Sequence, residues 1–136
     1  PLRAESYGGA CGMPEAAHPA AMDVATLNPA DWPEETELAT ARALLAAEPA
    51  PILLDVREAD ELEICRIDGC VHVPMRQVPE WLDRGAPERP LVVLCHHGGR
   101  SLRVTRYLRA RGLHATNLQG GIDAWARLVD PAMARY

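Results

Sequence analysis

Short apolar runs alternate along this sequence with longer segments of helical periodicity. The runs "PILL" at 51–54 and "PLVVLC" at 90–95 are apolar at consecutive positions, whereas "RSLRVTRYLRARG" at 100–112 repeats apolar residues every three or four positions. A strand that is apolar at every position is buried on both faces, which is typical of parallel sheets covered by helices. The sequence therefore predicts an α/β fold with right-handed crossovers between parallel strands.

The same patterns locate each predicted strand and helix. Glycine and proline mark several boundaries, with Gly85 and Gly112 as the stops of two helices. Strands are predicted at 22–27, 51–58, 70–74, 90–95 and 114–118. Helices are predicted at 36–48, 59–65, 77–85, 100–112 and 120–129, and a turn is predicted at 28–35.

Length and composition indicate one domain and exclude two classes of partner. The 136 residues, 48% of them hydrophobic, suffice for one sizeable core but not for two ordinary domains. Residues 28–136 are predicted to form that domain, and residues 1–27, rich in Gly, Pro and Ala, a flexible or loosely packed extension. A formal charge of -5, without a basic-aromatic surface, argues against nucleic acid. No apolar run approaches the roughly 18 residues of a membrane span, so no membrane partner is expected.

The cysteines suggest a reducing compartment. Cys11, Cys65, Cys70 and Cys95 are irregularly spaced and contain no CxxC motif, and a chain of this length does not need disulfides to be stable. The N-terminus lacks the charged-then-apolar layout of a secretory signal. We therefore expect a cytoplasmic protein.

Three polar stretches follow predicted strands. They are "DVRE" at 55–58, "CHHGGRS" at 95–101 and "QGG" at 119–121. Because the carboxyl ends of parallel strands share one edge of the sheet, where sites of such folds lie, we expect these stretches to converge in space. This convergence is the first indication that Cys95 belongs to a functional site.

Cys95 stands where a predicted strand gives way to a glycine-containing loop and a helix. Backbone N–H groups in such a loop face one point above the positive helix end and stabilise an anion there. For Cys95 this anion is its own thiolate, with Arg100 adding a positive charge, while Gly98 and Gly99 permit a close approach of the backbone. A cysteine at a strand end is more often a buried structural residue. A purely structural turn, however, needs neither two histidines nor an arginine, so the stretch favours an activated nucleophile.

Four motifs resemble the rhodanese-like domain family in their order and spacing. They are "LLDVRE" at 53–58, "IDGCVHVP" at 67–74, "VVLCHHGGRS" at 92–101 and "LQGGIDAW" at 118–125, and the similarity covers roughly residues 36–130. The resemblance implies a three-layer fold, with a five-stranded, mostly parallel sheet flanked by helices on both faces. It also implies a sulfurtransferase whose cysteine carries a sulfane sulfur as a persulfide.

Matched position by position, the resemblance assigns Cys95 as the catalytic residue. The matching loop, which would bind the donor and the persulfide, consists of His96, His97, Gly98, Gly99, Arg100 and Ser101. Asp55 and Arg57 match the family's "DVR", whose residues usually support that loop. The chain departs from the family where "CRIDGC" at 65–70 replaces the usual "GHIPGA". A "DP…RY" tail at 130–136 resembles that of a bacterial subset with "CHHG" loops.

The resemblance implies a double displacement. The Cys95 thiolate takes sulfur from a small donor such as thiosulfate, and a thiol, cyanide or a sulfur-carrier protein then accepts it from the persulfide. The covalent persulfide makes a separate cofactor unnecessary. A metal site is not expected, because Cys95, His96 and His97 are near neighbours that should project in different directions, and no separated Cys or His pair supplies further ligands.

Two other functions stay open at this point. Phosphatases of a related fold place five residues between cysteine and arginine, whereas only the four residues 96–99 separate Cys95 from Arg100. The narrower loop favours a sulfur atom over a tetrahedral phosphate, which makes a phosphatase or arsenate reductase the weaker enzyme hypothesis. The other alternative is a non-catalytic rhodanese-like module in which Cys95 binds a partner or senses redox state.

Several side chains of the loop have two interpretations. Arg100 either orients an anionic donor or pairs with an acid such as Asp55 or Glu58. His96 and His97 either shuttle a proton and bind the donor, or are polar surface residues.

The remaining cysteines and the arginines of one helix are also ambiguous. Cys65 and Cys70 either resolve the persulfide through a disulfide with Cys95 or pack in the core. The helix at 100–112 carries four arginines that are expected either to be solvated or to dock an acidic sulfur-carrier protein. These are Arg103, Arg106, Arg109 and Arg111.

Overall fold

A five-stranded sheet with helices around it forms the protein, whose computed structural model describes residues 26–136. The strands are β1 (Glu35–Thr36), β2 (Ile52–Asp55), β3 (Val71–His72), β4 (Leu91–Leu94) and β5 (Ala115–Leu118). The helices are α1 (Leu38–Ala46), α2 (Ala59–Ile64), α3 (Val78–Asp83), α4 (Gly99–Ala110) and α5 (Gly121–Leu128). Short 3-10 helices occupy Pro29–Asp31 and Met75–Gln77. The predicted α/β fold with a five-stranded sheet is confirmed.

The strand order in the sheet is β1-β5-β4-β2-β3, and all four pairings are parallel. β4 lies at the centre, and its four residues are fully buried. Because every strand runs in the same direction, the chain leaves β2, β4 and β5 at one common edge. The predicted convergence of the stretches that follow these strands is therefore confirmed.

Side chains of β4 alternate between two apolar clusters, one on each face of the sheet. Leu91 and Val93 belong, with Cys95, to the cluster that α3 and α4 cover. Val92 and Leu94 belong to the cluster that α1 and α5 cover. This two-sided burial is the physical reason that the strand is apolar at every position.

The predicted strand at 22–27 is not confirmed. Residues 22–25 lie outside the described residues, and residues 26–27 are not in a strand. The first described strand is β1, in the stretch predicted as turn and helix start. Its two residues have no periodicity of their own and take their conformation from pairing with β5, where Asn117 N–H donates to Glu34 O at 2.8 Å.

Three of the four arginines predicted on the exposed face of α4 have partners within the protein. Arg106 pairs with Glu34, and Arg111 lies over the ring of Tyr107. Arg109 is half-buried and donates to two backbone carbonyls, those of Trp32 and Ala115. The contacts of Arg106 and Arg109 tie α4 to the neighbouring segments, and among the described residues no partner is found for Arg103. In the described part of the chain, no helix has the length and apolar character needed to cross a membrane.

Candidate active site

The Cys95 sulfur lies in a cup at the start of α4. Cys95 follows β4 directly and is 1% exposed. The N–H of Gly98 lies 3.2 Å from Sγ, the N–H of Ser101 3.3 Å, and the Ser101 hydroxyl 3.3 Å. Gly98 is the N-cap of α4 and has a φ of 112°, a conformation that glycine adopts without strain. The N-terminus of α4 adds its positive potential, so the cup is suited to an anion on sulfur.

The turn between β5 and α5 braces the loop from the other side. The N–H of Ile122 donates to the Cys95 carbonyl at 2.9 Å, and that of Asp123 to the His96 carbonyl at 3.0 Å. A Cβ atom on Gly121 would lie 2.5 Å from the Cys95 carbonyl oxygen, so no larger residue fits there without a shift of the backbone. The "QGG" stretch therefore contributes to the site by allowing this close approach.

Asn117 is a site residue that the sequence analysis did not find. It is fully buried on β5, and its Oδ1 accepts from the Ser101 hydroxyl at 2.5 Å. Its Nδ2 donates to the Gly98 carbonyl at 3.2 Å and to Glu35 Oε2 at 3.0 Å. The available signal was an amide within an otherwise buried strand, because such a group needs partners for all its polar atoms.

Arg100 is held by an acid other than the two predicted. Its guanidinium donates to both carboxylate oxygens of Glu61, at 2.8 and 2.9 Å. Asp55 is occupied by Arg57, and the side chain of Glu58 caps α2, so neither predicted partner is available. The bonds from Arg100 lower the pKa of Glu61 to about 2. The pair is therefore ionised at neutral pH.

Asp55 and Arg57 form a fully buried ion pair behind the loop. Arg57 Nη2 lies 2.8 Å from Asp55 Oδ2, and neither side chain is exposed. Arg57 also donates to the Cys65 carbonyl at 2.9 Å and to the Tyr136 hydroxyl at 3.0 Å. Burial alone would lower the pKa of Arg57, but the bonds to Asp55 and Tyr136 outweigh it and raise this pKa above its ordinary value. Through these bonds the pair supports α2 and the tail.

Tyr136 of the tail connects the loop to α2. Its ring stacks on that of His96, with the centroids 3.9 Å apart, and its hydroxyl donates to Glu61 Oε1 at 2.7 Å. Burial, followed by the charge of neighbouring His97, lowers the pKa of His96, so this imidazole is neutral at neutral pH. The tail motif is visible in the sequence by resemblance, but its place at the site is not.

The two loop histidines do not point in different directions as predicted. Their ring centroids are 3.9 Å apart, and the ligand atoms of His96, His97 and Asp123 lie within 4.8 Å of one another. Such a group could hold a metal ion. The Asp123 carboxylate already accepts from Arg127 and Arg135, however, so a cation would compete with both arginines.

The other described cysteines lie across the sheet from Cys95. Cys65 and Cys70 are free thiols packed against the cluster under α1 and α5, whereas the Cys95 side chain belongs to the opposite cluster. Burial raises the pKa of Cys70. Both observations favour packing over a resolving role.

Comparisons with known proteins agree with the fold. Residues 37–128 match the model of the Rhodanese-like domain. The putative sulfurtransferase YtwF of Bacillus subtilis is 32% identical over 68% of this chain and 89% of its own length. A chloroplastic Rhodanese-like/PpiC domain-containing protein of Arabidopsis thaliana is 38% identical over 62% of this chain, but the match spans only 30% of that protein. The solved human single-domain sulfurtransferase TSTD1 is 25% identical with a TM-score of 0.59, over 71% of this chain and 97% of the human chain.

Proposed function

Since the chain belongs to the rhodanese-like domain family, we propose that it is a sulfurtransferase in which Cys95 carries a sulfane sulfur as a persulfide. Relatives named sulfurtransferases support sulfur transfer in general. The observation that carries the proposal is the cup itself, in which two backbone N–H groups and a hydroxyl face a buried sulfur. A buried thiol without a charged role does not need two backbone N–H groups directed at its sulfur.

Sulfur transfer then takes place in two balanced steps. The Cys95 thiolate attacks the outer sulfur of thiosulfate, an S–S bond forms to Sγ, and sulfite leaves with the electron pair of the broken S–S bond. A nucleophile next attacks the terminal sulfur of the persulfide and returns the electron pair to Sγ as thiolate. The N–H groups of the cup and the dipole of α4 stabilise the anionic sulfur in both steps.

The surroundings of the cup suit an anionic donor. Arg100 is 33% exposed, so its guanidinium can face a sulfonate while Glu61 holds its orientation. We propose thiosulfate or a persulfide as donor, and a thiol, cyanide or a sulfur-carrier protein as acceptor. The covalent persulfide makes a separate cofactor unnecessary. The free thiols Cys65, Cys70 and Cys95 suit a reducing compartment such as the cytoplasm.

Intact-mass spectrometry tests the proposal directly. The purified protein is measured before and after thiosulfate, and again after cyanide, with Cys95→Ala as the control. The expected result is a gain of one sulfur mass that requires Cys95 and is removed by cyanide as thiocyanate. If neither thiosulfate nor a persulfide donor adds sulfur, the carrier function fails, and a binding or redox-sensing module becomes the better explanation.

A further inference from the structure

One side chain outside the loop holds both residues whose N–H groups face the Cys95 sulfur. The Asn117 amide donates to the Gly98 carbonyl and accepts from the Ser101 hydroxyl. Gly98 and Ser101 are also the residues whose backbone N–H groups face Sγ. The amide of Asn117 thus connects the cup to β5, the strand next to β4 in the sheet.

The orientation of this amide is fixed by its partners. Its Nδ2 faces two acceptors, the Gly98 carbonyl and the Glu35 carboxylate, whereas its Oδ1 faces a hydroxyl. A flipped amide would place its oxygen against both acceptors, which is unfavourable. The carboxylate bond is charge-assisted and strengthens this preference.

The same orientation decides where the Ser101 proton goes. The hydroxyl has one hydrogen and faces two atoms, Asn117 Oδ1 at 2.5 Å and Cys95 Sγ at 3.3 Å. Two oxygens 2.5 Å apart need a hydrogen between them, and the amide oxygen carries none, so the hydroxyl hydrogen lies on the contact with Oδ1. The sulfur therefore depends on the backbone N–H groups of Gly98 and Ser101, and on whatever keeps those two groups aligned.

We propose that Asn117 is a positioning residue for sulfur transfer, which holds the two N–H donors of the cup on the Cys95 sulfur. This inference rests on the proposed carrier function of Cys95 and adds a residue outside the loop motif. Without the amide, the Gly98 carbonyl keeps its bond from Leu102 N–H at 3.0 Å but loses the bond that ties it to β5, as does the Ser101 side chain. The two backbone N–H groups are then less well aligned on the sulfur, and a single hydroxyl hydrogen turned towards Sγ does not replace them.

The test compares the rate of sulfur loading from thiosulfate in the wild type and Asn117→Ala. At neutral pH, we expect loading to slow about tenfold, equivalent to about 1.4 kcal/mol, because the anionic sulfur is stabilised less well. A purely structural loss would lower the fraction of the protein that takes up sulfur and leave the loading rate of the folded fraction unchanged, and that result would overturn the inference.

The charged and titratable groups around the site are the same in both proteins, so the comparison isolates the amide. They are Asp55, Arg57, Glu61, His96, His97, Arg100, Asp123, Tyr136 and Glu35. Thr105→Val is the matched control, because Thr105 is a buried polar residue of α4 whose hydroxyl has no hydrogen-bond partner among the described residues. It should load sulfur at the wild-type rate.

Two further measurements separate the possible failures. Ser101→Ala and Asn117→Ala act through a shared bond, so their effects on loading should be less than additive, and full additivity would contradict the inference. If Asn117→Ala does not fold, the side-chain amide resonance of Asn117 in the ¹⁵N-labelled wild type should shift on sulfur loading. An unchanged resonance would overturn the positioning role. A wild type that takes up no sulfur would instead refute the proposed function.

Discussion

The cup and the groups around it are built in different ways. The cup consists of Cys95 with neutral, buried donors from Gly98, Ser101 and Asn117. What we call the rim consists of Arg100, Glu61, Tyr136 and His96, which are charged or aromatic, partly exposed, and contributed by α2, α4, the loop and the tail. Backbone donors in a buried cup cannot be screened or titrated, whereas ion pairs at a partly exposed rim can. In the proposed function, the cup holds the reacting sulfur, and the rim carries the charged groups that a donor would meet.

The largest loss of unfolding free energy is expected from the buried Asp55–Arg57 pair, which bonds to Tyr136 of the rim. Asp55→Ala leaves Arg57 buried without its carboxylate, which should cost about 3–5 kcal/mol of unfolding free energy. Urea unfolding measures this loss. The control is Glu80→Ala, which removes a surface pair with Arg84 whose side chains are 70% and 71% exposed. It should cost at most about 1 kcal/mol. If both variants lost the same unfolding free energy, burial would not add to the contribution of the Asp55–Arg57 pair.

The next largest effect on unfolding free energy is expected at Gly121, where the start of α5 packs against the loop. Gly121→Ala places a Cβ against the carbonyls of Cys95 and His96 and should cost about 2–3 kcal/mol. Because the backbone of Cys95 must move, sulfur loading should slow about 100-fold. Gly112→Ala separates the two causes, since Gly112 has a φ of 87° but nothing within 4 Å of its added Cβ. If Gly112→Ala lowers the unfolding free energy as much as Gly121→Ala does, the positive φ and not the clash explains the loss.

The difference between the cup and the rim also explains which parts of the site the sequence predicts well. The cup lies mostly in one segment, where a strand end, two glycines and a helix start follow local rules, so the local structure around Cys95 is predicted from the residues alone. The rim joins groups far apart in the chain, such as Arg100 and Glu61, which are 39 residues apart. Helical and strand periodicity carry no information about such pairs, which is why Asp55 and Glu58 were expected in place of Glu61.

Two other features escaped prediction for related reasons. β1 has two residues, too few for any periodicity, and exists because β5 offers it backbone partners. In the sequence, Asn117 is one of two polar residues of β5, and its role becomes visible only when α4 packs beside the strand. Both depend on tertiary contacts that no local pattern encodes.

A smaller effect should come from the ion pair of the rim, and it depends on pH. The pKa of Glu61 is about 2 in the folded protein, against about 4.3 for an unperturbed glutamate. A lowered pKa contributes stability that is present above the unfolded value and lost as the pH falls through the folded value. Glu61→Gln should therefore cost about 1–2 kcal/mol at neutral pH, and the difference from wild type should shrink between about pH 5 and pH 2.

The control for this titration is Glu63→Gln, an exposed glutamate of the same helix. Unfolding free energies from urea titrations at several pH values give the comparison. A Glu61→Gln difference that stays constant down to pH 2 would mean that the carboxylate acts by packing and not by its charge.

The smallest effect is expected from the cysteines on the far side of the sheet. Cys65→Ser and Cys70→Ser should leave sulfur loading unchanged and cost about 1 kcal/mol or less, because both thiols are only partly buried and pack under α1 and α5. Peptide mapping of the oxidised wild type should find no bond between Cys95 and either residue. A mapped disulfide would mean that the loop can move far enough to bring Cys95 across the sheet edge, and the cup would then not be the rigid part of the site. In the proposed reaction, the sulfur on a rigid cup is removed by a nucleophile from outside, so the acceptor approaches past the rim.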